Sequence, residues 1–398
     1  MGAGDVAAAR RLTAPKCVNP AYPRAAAPDI PCFHGGAFFE AIGVEFGDLA
    51  RRHQIINADV LDAWFPPAPA VVEILREHLP WILRTSPPLA AEGMVSAIAR
   101  ARGVDALCVL PTAGSSDAIF LALRHWLHGA SRVLILDPTY GEYAHVLERV
   151  IQCRVDRFLL SRDDGYRVDL AALEEAFSRA YDLIVLVNPN SPTGRHISRA
   201  ELQELLRRAP RETRFWIDET YVEYAGAGES LERFATSTGN VVICTSMSKA
   251  YALSGVRAAY LCGSQEMIAE LRAITPPWSV SLPAQIAAVT ALGESAYYAD
   301  CHAQTHGLRA ELAAMLRDAV PGIEIVPGVA NFLLCHLPER APDAATIVQR
   351  CRSAGLFVRD ASAMGTALGG HALRIAVKDR ETNRRIVALF AAALAPAA

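Results

Sequence analysis

No apolar run in this sequence is long enough to cross a bilayer. The longest, such as Val241 to Cys244 or the tail from Val387 to Ala395, stop well short of the ~20 residues a spanning helix needs. A surplus of one charge is missing too. Thirty-nine Lys and Arg face 42 Asp and Glu, leaving a formal charge of -3, which argues against nucleic acid or an anionic membrane as a main partner. There is no C-x-x-C pair among the nine cysteines (Cys17, Cys32, Cys108, Cys153, Cys244, Cys262, Cys301, Cys335 and Cys351). An odd count without metal-ligand spacing reads as reduced, mostly buried thiols, and a cytoplasmic location is expected. The first 17 residues hold Arg10, Arg11 and Lys16 but no apolar h-region, so no secretory signal is expected. Val6 and Ala7 stand where a myristoylation site would place Ser or Thr. No internal repeat is present.

What the chain does have is apolar material. Across 398 residues 52% are hydrophobic and 20% charged, enough for two lobes of one enzyme subunit. Residues 1 to 31, rich in Ala, Pro and Arg, read as an irregular arm. After the breaker Pro66-Pro67-Ala68-Pro69 an amphipathic pattern predicts a helix from Val71 to Leu83. Four continuous apolar runs then end in polar residues: Arg132–Leu136 before Asp137-Pro138, Leu183–Val187 before Asn188-Pro189, Arg214–Ile217 before Asp218-Glu219, and Val241–Cys244 before Thr245-Ser246. Such runs fit strands covered on both faces, hence a largely parallel sheet. Helical segments separate them: Asp169 is an N-cap, and Ser198-Arg199-Ala200-Glu201 is a capping box. The alternation predicts a doubly wound α/β domain over residues 32–274, with ligands at the carboxyl ends of its strands. From about Thr275 long helical stretches (Ala284 to Met315, Ala344 to Ser353) surround short strands at Asn331–Cys335, Leu356–Arg359 and Leu373–Val377, which predicts a smaller α+β domain over 275–398.

The segment Thr245-Ser246-Met247-Ser248-Lys249-Ala250-Tyr251-Ala252-Leu253-Ser254-Gly255-Val256-Arg257 concentrates the chemistry. A buried amine among cationic neighbours becomes neutral and can condense with an aldehyde cofactor. The hydroxyls of Ser246 and Ser248 and the guanidinium of Arg257 can hold a phosphate. Thr112-Ala113-Gly114-Ser115-Ser116-Asp117 precedes the apolar helix Ile119 to Leu127, whose free N–H groups and dipole favour an anion; alone, it would be only a good helix N-cap.

The Lys249 segment resembles the S-x-S-K-x-x-x-L-x-G-x-R signature of the class I/II (fold type I) pyridoxal-phosphate-dependent aminotransferases. Three further segments match in the expected order, so the resemblance spans roughly residues 34 to 385. In detail it is most similar to the histidinol-phosphate aminotransferase and threonine-phosphate decarboxylase branches. The resemblance implies the fold type I architecture, pyridoxal 5'-phosphate as cofactor, a Schiff base at Lys249 and a phosphate cup at Gly114, Ser115, Ser116 and Asp117. In Asp218-Glu219-Thr220-Tyr221 it assigns Asp218 to the pyridine nitrogen, keeping the ring an electron sink, and Tyr221 to the phenolic oxygen. In Pro138-Thr139-Tyr140-Gly141-Glu142-Tyr143 it stacks Tyr140 on the ring, while Tyr143 belongs to the core or stands behind the site. In Ala372-Leu373-Arg374-Ile375-Ala376-Val377, similar to L-R-I-x-V, it gives Arg374 the substrate carboxylate, to which a planar fork is matched. Arg359 takes the distal group, Asn331 helps line the pocket, and His34 in His34-Gly35-Gly36 folds over it.

Two departures stand out. In Asn188-Pro189-Asn190-Ser191-Pro192-Thr193-Gly194 the family's asparagine before P-T-G is Ser191, so either Asn190 or Ser191 faces the phenolic oxygen. Leu83-Arg84-Thr85-Ser86-Pro87-Pro88 stands where relatives carry a tyrosine that reaches the partner's cofactor phosphate. The resemblance further implies a homodimer with sites at the subunit boundary. The expected reaction is transamination of an amino acid, a small-molecule substrate, in specialised metabolism. Decarboxylation, elimination, cyclisation or substitution would use the same residues. A cofactor-binding sensor without catalysis is the non-enzymatic alternative.

Overall fold

The computed structural model describes residues 35–226 and 228–395. Its framework is a seven-stranded sheet built from β2 (Val109–Thr112), β3 (Arg132–Asp137), β4 (Arg154–Leu159), β5 (Leu183–Val187), β6 (Arg214–Asp218), β7 (Val241–Ser246) and β8 (Ala259–Gly263), in the order β2-β8-β7-β6-β5-β3-β4. The pairs β4–β3, β3–β5, β5–β6 and β6–β7 are parallel, and β8 runs antiparallel to both β7 and β2. The apolar runs are continuous because both faces are covered. Leu134, Leu136, Ile184, Leu186, Phe215, Ile217 and Ile243 enter one core cluster, while Val133, Ile135, Leu183, Val185, Trp216 and Val242 enter another. Each such side chain contributes roughly 1.5–3 kcal/mol by leaving water.

Strand order places the crevice. From β3 the chain steps outward to β4, then returns to the other side of β3 as β5 and continues away through β6 and β7. The direction reverses between β3 and β5, so the loops after them diverge and open a cleft at their carboxyl ends. Helix Ser115–Trp126 points its N-terminus there, beginning at Gly114, whose φ of +94° suits glycine.

A four-stranded antiparallel sheet follows: β9 (Glu324–Val326), β10 (Phe332–His336), β12 (Arg359–Asp360) and β13 (Ala372–Ala376), in the order β12-β13-β10-β9. A two-stranded parallel pairing joins β1 (Ile56–Asn57) to β11 (Leu356–Phe357), with Ala58 N–H bonded to Phe357 O at 2.8 Å and Ala376 N–H to Ala58 O at 3.0 Å. Residues 56–62 therefore run along the C-terminal part of the chain and past the cleft.

The helix after the proline breaker is Pro69–Arg84, with Pro69 in its first turn. Asp169 caps Leu170–Phe177, and the Ser198–Glu201 capping box opens Arg199–Arg208. The stretch expected as one helix from Ala284 to Met315 is two, Leu282–Gly293 and Ser295–Ala319. Gly293 has poor helical propensity and Glu294 leaves helical geometry (φ -99°, ψ 39°), which redirects Tyr297 and Tyr298 onto Phe65. No helix of the described residues is long and apolar enough to cross a membrane.

Candidate active site

Asp218 ends β6 with its carboxylate 3% exposed. Tyr143 donates to its Oδ2 at 2.7 Å and the Thr220 N–H to its Oδ1 at 2.9 Å. Trp216 Nε1 in turn donates to the Tyr143 hydroxyl at 2.7 Å. No basic side chain among the described residues forms an ion pair with Asp218. Burial pushes its carboxyl above the ordinary range, partly offset by the hydrogen bonds from Thr220 and Tyr143. A carboxylate fixed so firmly and left without a counter-charge is suited to a cationic N–H ligand.

Lys249 lies in the short helix Met247–Ala250 that follows β7, capped by Ser246, whose hydroxyl accepts from Ser248 N–H. Its Nζ donates to Asp62 Oδ1 at 2.9 Å and lies 3.4 Å from Ser254 Oγ. Burial pushes this amine down, Asp62 opposes that, and the nearby Arg374 and Arg257 cations press it lower. The environment favours an amine that sheds its proton readily.

An anion cradle sits across the cleft. Ser115 and Ser116 open the helix Ser115–Trp126, and Ser246, Ser248 and Arg257 line the same cavity. A side chain at Gly114 would run into the Arg257 guanidinium, so the glycine is what lets Arg257 close over the helix N-terminus.

The opposite wall comes from the C-terminal sheet. Arg374, 6% exposed, donates to Ser191 Oγ at 2.9 Å and to the Asp59 carbonyl at 3.2 Å, while its buried Nε has no partner. A guanidinium on the cavity wall that is not paired with a carboxylate is equipped to take one. Arg359, paired with Arg374 in the β12–β13 ladder, lies 2.7 Å from Asp59 through Nε. Gly35 lies on this pair: a Cβ there would stand 2.7 Å from Arg359 Nη2 and 2.9 Å from Asp59 Oδ2.

One cavity thus gathers Ser115, Ser116, Tyr140, Ser191, Asp218, Tyr221, Ser246, Ser248, Lys249, Arg257, Arg359 and Arg374. Four expected residues do not line it. Gly114 stands behind the Arg257 guanidinium, at the head of the helix Ser115–Trp126. Asp117 accepts from Ala113 N–H at 2.9 Å and fixes the turn. Asn190 turns inward to Pro138 O at 3.0 Å and Thr193 Oγ1 at 3.2 Å, so the cavity-facing member of its pair is Ser191. Asn331 is buried and holds Leu61 O at 3.0 Å, acting on the wall from behind. His34 lies outside the described residues.

The sequence reading missed Asp59, Asp62 and Lys378. The one signal for the two aspartates was a pair of carboxylates three residues apart in Ile56-Asn57-Ala58-Asp59-Val60-Leu61-Asp62, where no motif is recognisable, and Lys378 had none.

Residues 84–390 match the family model described as aminotransferase class I and II. A histidinol-phosphate aminotransferase of Anaeromyxobacter sp. (strain Fw109-5) is 31% identical over 327 residues, 81% of this chain and 86% of that one. One of Bacillus subtilis subsp. natto is 28% identical over 70% of this chain and 75% of its own length. Among solved structures, histidinol-phosphate aminotransferase from Sinorhizobium meliloti in complex with pyridoxal-5'-phosphate superposes with a TM-score of 0.80 at 22% identity, covering 94% of this chain and 98% of that one. L-threonine-O-3-phosphate decarboxylase from Porphyromonas gingivalis gives 0.72 at 24%, covering 85% and 98%. At these identities the superpositions establish the fold.

Proposed function

Since the chain belongs to the class I and II aminotransferase family, we propose that it is a pyridoxal-phosphate-dependent aminotransferase acting on an amino acid. The observation that carries this reading is the meeting, in one cavity, of an amine that burial makes reactive (Lys249), an acid without a counter-charge (Asp218) and a buried guanidinium (Arg374).

The residues present fit the cofactor. Ser115, Ser116, Ser246, Ser248 and Arg257 would hold its phosphate, with Gly114 making room. Asp218 would face the ring nitrogen, Tyr221 and Ser191 the phenolic oxygen, and Tyr140 the ring. When bound, pyridoxal phosphate supplies an aldehyde that takes up amines and a ring that accepts electrons from a bond broken at the substrate α-carbon.

The chain's own residues do the rest. Arg374 clamps the substrate carboxylate and so fixes which α-carbon bond faces the cofactor. Lys249, once its amine is free, moves the proton at that carbon. Tyr143 and Thr220 keep the Asp218 carboxylate from turning away. Ser191 orients Arg374 as well as facing the cavity. The absent tyrosine near Thr85 and the Asp59 carboxylate beside Arg359 favour a substrate of specialised metabolism over histidinol phosphate.

A homodimer in the cytoplasm completes the proposal. Trp81, Leu83, Leu89 and Trp278 are 50–71% exposed, and Trp278 N–H bonds Leu89 O, so apolar groups border one surface.

Borohydride reduction of the cofactor-loaded protein followed by peptide mapping is expected to tag Lys249. Incubation with single amino acids should then convert the cofactor to its amine form, reversibly with a keto acid. A tag on another lysine refutes the site. Carbon dioxide or leaving-group release without amine-form cofactor moves the reaction to decarboxylation or elimination.

A further inference from the structure

Asp62 has no part in the chemistry described so far, yet it makes the shortest polar contact to the reacting amine. Its Oδ1 accepts from Lys249 Nζ at 2.9 Å, closer than Ser254 Oγ at 3.4 Å. On its other side Lys378, just beyond β13, donates Nζ to the Asp62 carbonyl at 3.0 Å. Lys378 is itself fixed: its N–H bonds Asn383 Oδ1 at 2.9 Å, and its carbonyl accepts from Asn383 Nδ2 at 2.7 Å. The loop after β1 thus sets Asp62 between two amines, its carboxylate on Lys249 and its backbone carbonyl on Lys378.

The charges around Lys249 make that carboxylate consequential. Arg374 and Lys378 stand on the β13 side with Asp379 behind them; Arg257 and Ser254 come from the segment after the lysine; Tyr221 lies on the side of β6. Three of these groups are cations, and Asp62 is the carboxylate among the described residues that hydrogen-bonds the amine. Its side chain is 36% exposed against 17% for Lys249, so it is reachable by water and keeps its charge. Its carboxyl is held below the ordinary range, with Lys249 the chief lowering influence against the opposing effect of burial. Lys378, more deeply buried, is pushed down to about 8.

We propose that Asp62 is a positioning residue for Lys249: its carboxylate is the dock from which the amine swings to the cofactor and to which it returns, and its negative charge opposes loss of the proton from that nitrogen. The proposal rests on Lys249 carrying the cofactor. A carboxylate that only ties residues 56–62 to the free amine would lose that contact once Lys249 joins the cofactor, and the nitrogen's protonation there would not respond to it.

Full-length protein loaded with pyridoxal phosphate is titrated with pH, following the absorbance of the chromophore at Lys249 in wild type and in Asp62→Asn, Asp62→Glu and Lys378→Met. With Asp62 still beside the nitrogen after it joins the cofactor, removing its charge should lower the midpoint by about one pH unit in Asp62→Asn, the lower end of such effects because the carboxylate is partly solvated. Asp62→Glu should bring the midpoint back toward wild type. Lys378→Met, which removes a cation, should shift it the other way and by less. A structural tie would not produce shifts of opposite sign. An unchanged or raised midpoint in Asp62→Asn, with borohydride still tagging Lys249, overturns the proposal while leaving the cofactor reading intact. If Asp62→Asn does not fold, Lys378→Met decides alone, and an unmoved midpoint there overturns it. If borohydride tags Lys249 in neither wild type nor variants, the cofactor reading fails and the proposal falls with it; the missing tag separates the two failures.

Discussion

Replacing Tyr143 by Phe removes a single oxygen from a fully buried chain of three side chains. Tyr143 and Trp216 are 0% exposed and Asp218 is 3% exposed, so water cannot easily replace the lost hydroxyl. Two hydrogen bonds go with it, each 2.7 Å long. The indole N–H of Trp216 is left with no acceptor, a loss of about 1–3 kcal/mol, and a bond to a carboxylate is worth about 1.5–3 kcal/mol. One hydroxyl makes both, so the two do not simply add, and about 2–4 kcal/mol is expected. At this chain length each kcal/mol moves the thermal midpoint by roughly 1 °C, which gives a fall of roughly 2–5 °C. The pH dependence carries a sign. Burial holds the folded Asp218 carboxyl above its ordinary value of 3.8, so ionising it costs stability as pH rises beyond that value. The Tyr143 hydroxyl relieves part of that cost. In cofactor-free protein the deficit of Tyr143→Phe should therefore shrink toward acid pH, where Asp218 is protonated, and much of it should vanish in an Asp218→Asn background. Thermal scans across pH, together with cofactor titration, make the measurement. An unshifted midpoint, or a deficit that grows on acidification, refutes the reasoning.

Other perturbations test other walls of the site. Gly114→Ala, at φ +94° and against Arg257, should weaken cofactor binding about tenfold or more, read by fluorescence titration, with the fold retained. Arg374→Lys cannot reproduce the fork to Ser191 and the Asp59 carbonyl and should raise KM by about 10–100-fold while cofactor affinity stays near wild type. His336, stacked on Tyr166 and bonded to its hydroxyl, is pushed down by burial to about 4 from an ordinary 6.5. The unfolded chain takes up that proton first. The stability it supports is thus complete above pH 6.5 and lost as pH falls toward 4, and His336→Gln should flatten that slope in denaturant titrations.

The parts legible in the sequence were those where one local cause dominates. Strands β3, β5, β6 and β7 announced themselves because coverage on both faces demands unbroken apolar runs. The polar residues at their ends are the site's floor. Strand β2 contains Pro111, and β4 mixes Arg154, Asp156 and Arg157 with apolar residues, so neither follows a strand pattern; both sit at the margins of the sheet, where such residues are tolerated. Side-chain direction was the second blind spot. Asn190 and Ser191 are neighbours, and only the fold shows that the first turns into the core and the second into the cavity. Asp59 and Asp62 were invisible for a third reason. Their partners Arg359, Lys249 and Lys378 lie hundreds of residues away, and nothing local in Asp59-Val60-Leu61-Asp62 encodes that distance.

The pairing of Ile56–Asn57 with Leu356–Phe357 also sets a timetable for the newborn chain. From residue 56 to residue 356 is 356 − 56 = 300 residues, and at synthesis rates of about 5–20 residues per second the first segment waits roughly 15–60 s for its mate. All seven strands of the main sheet have left the ribosome long before then, Lys249 and Asp218 among them. A chain halted before Ala372 would own the lysine and the acid yet lack Arg374, the strand that carries it and the anchor for Asp59. A strand translated well after the scaffold is therefore what turns that scaffold into a pocket.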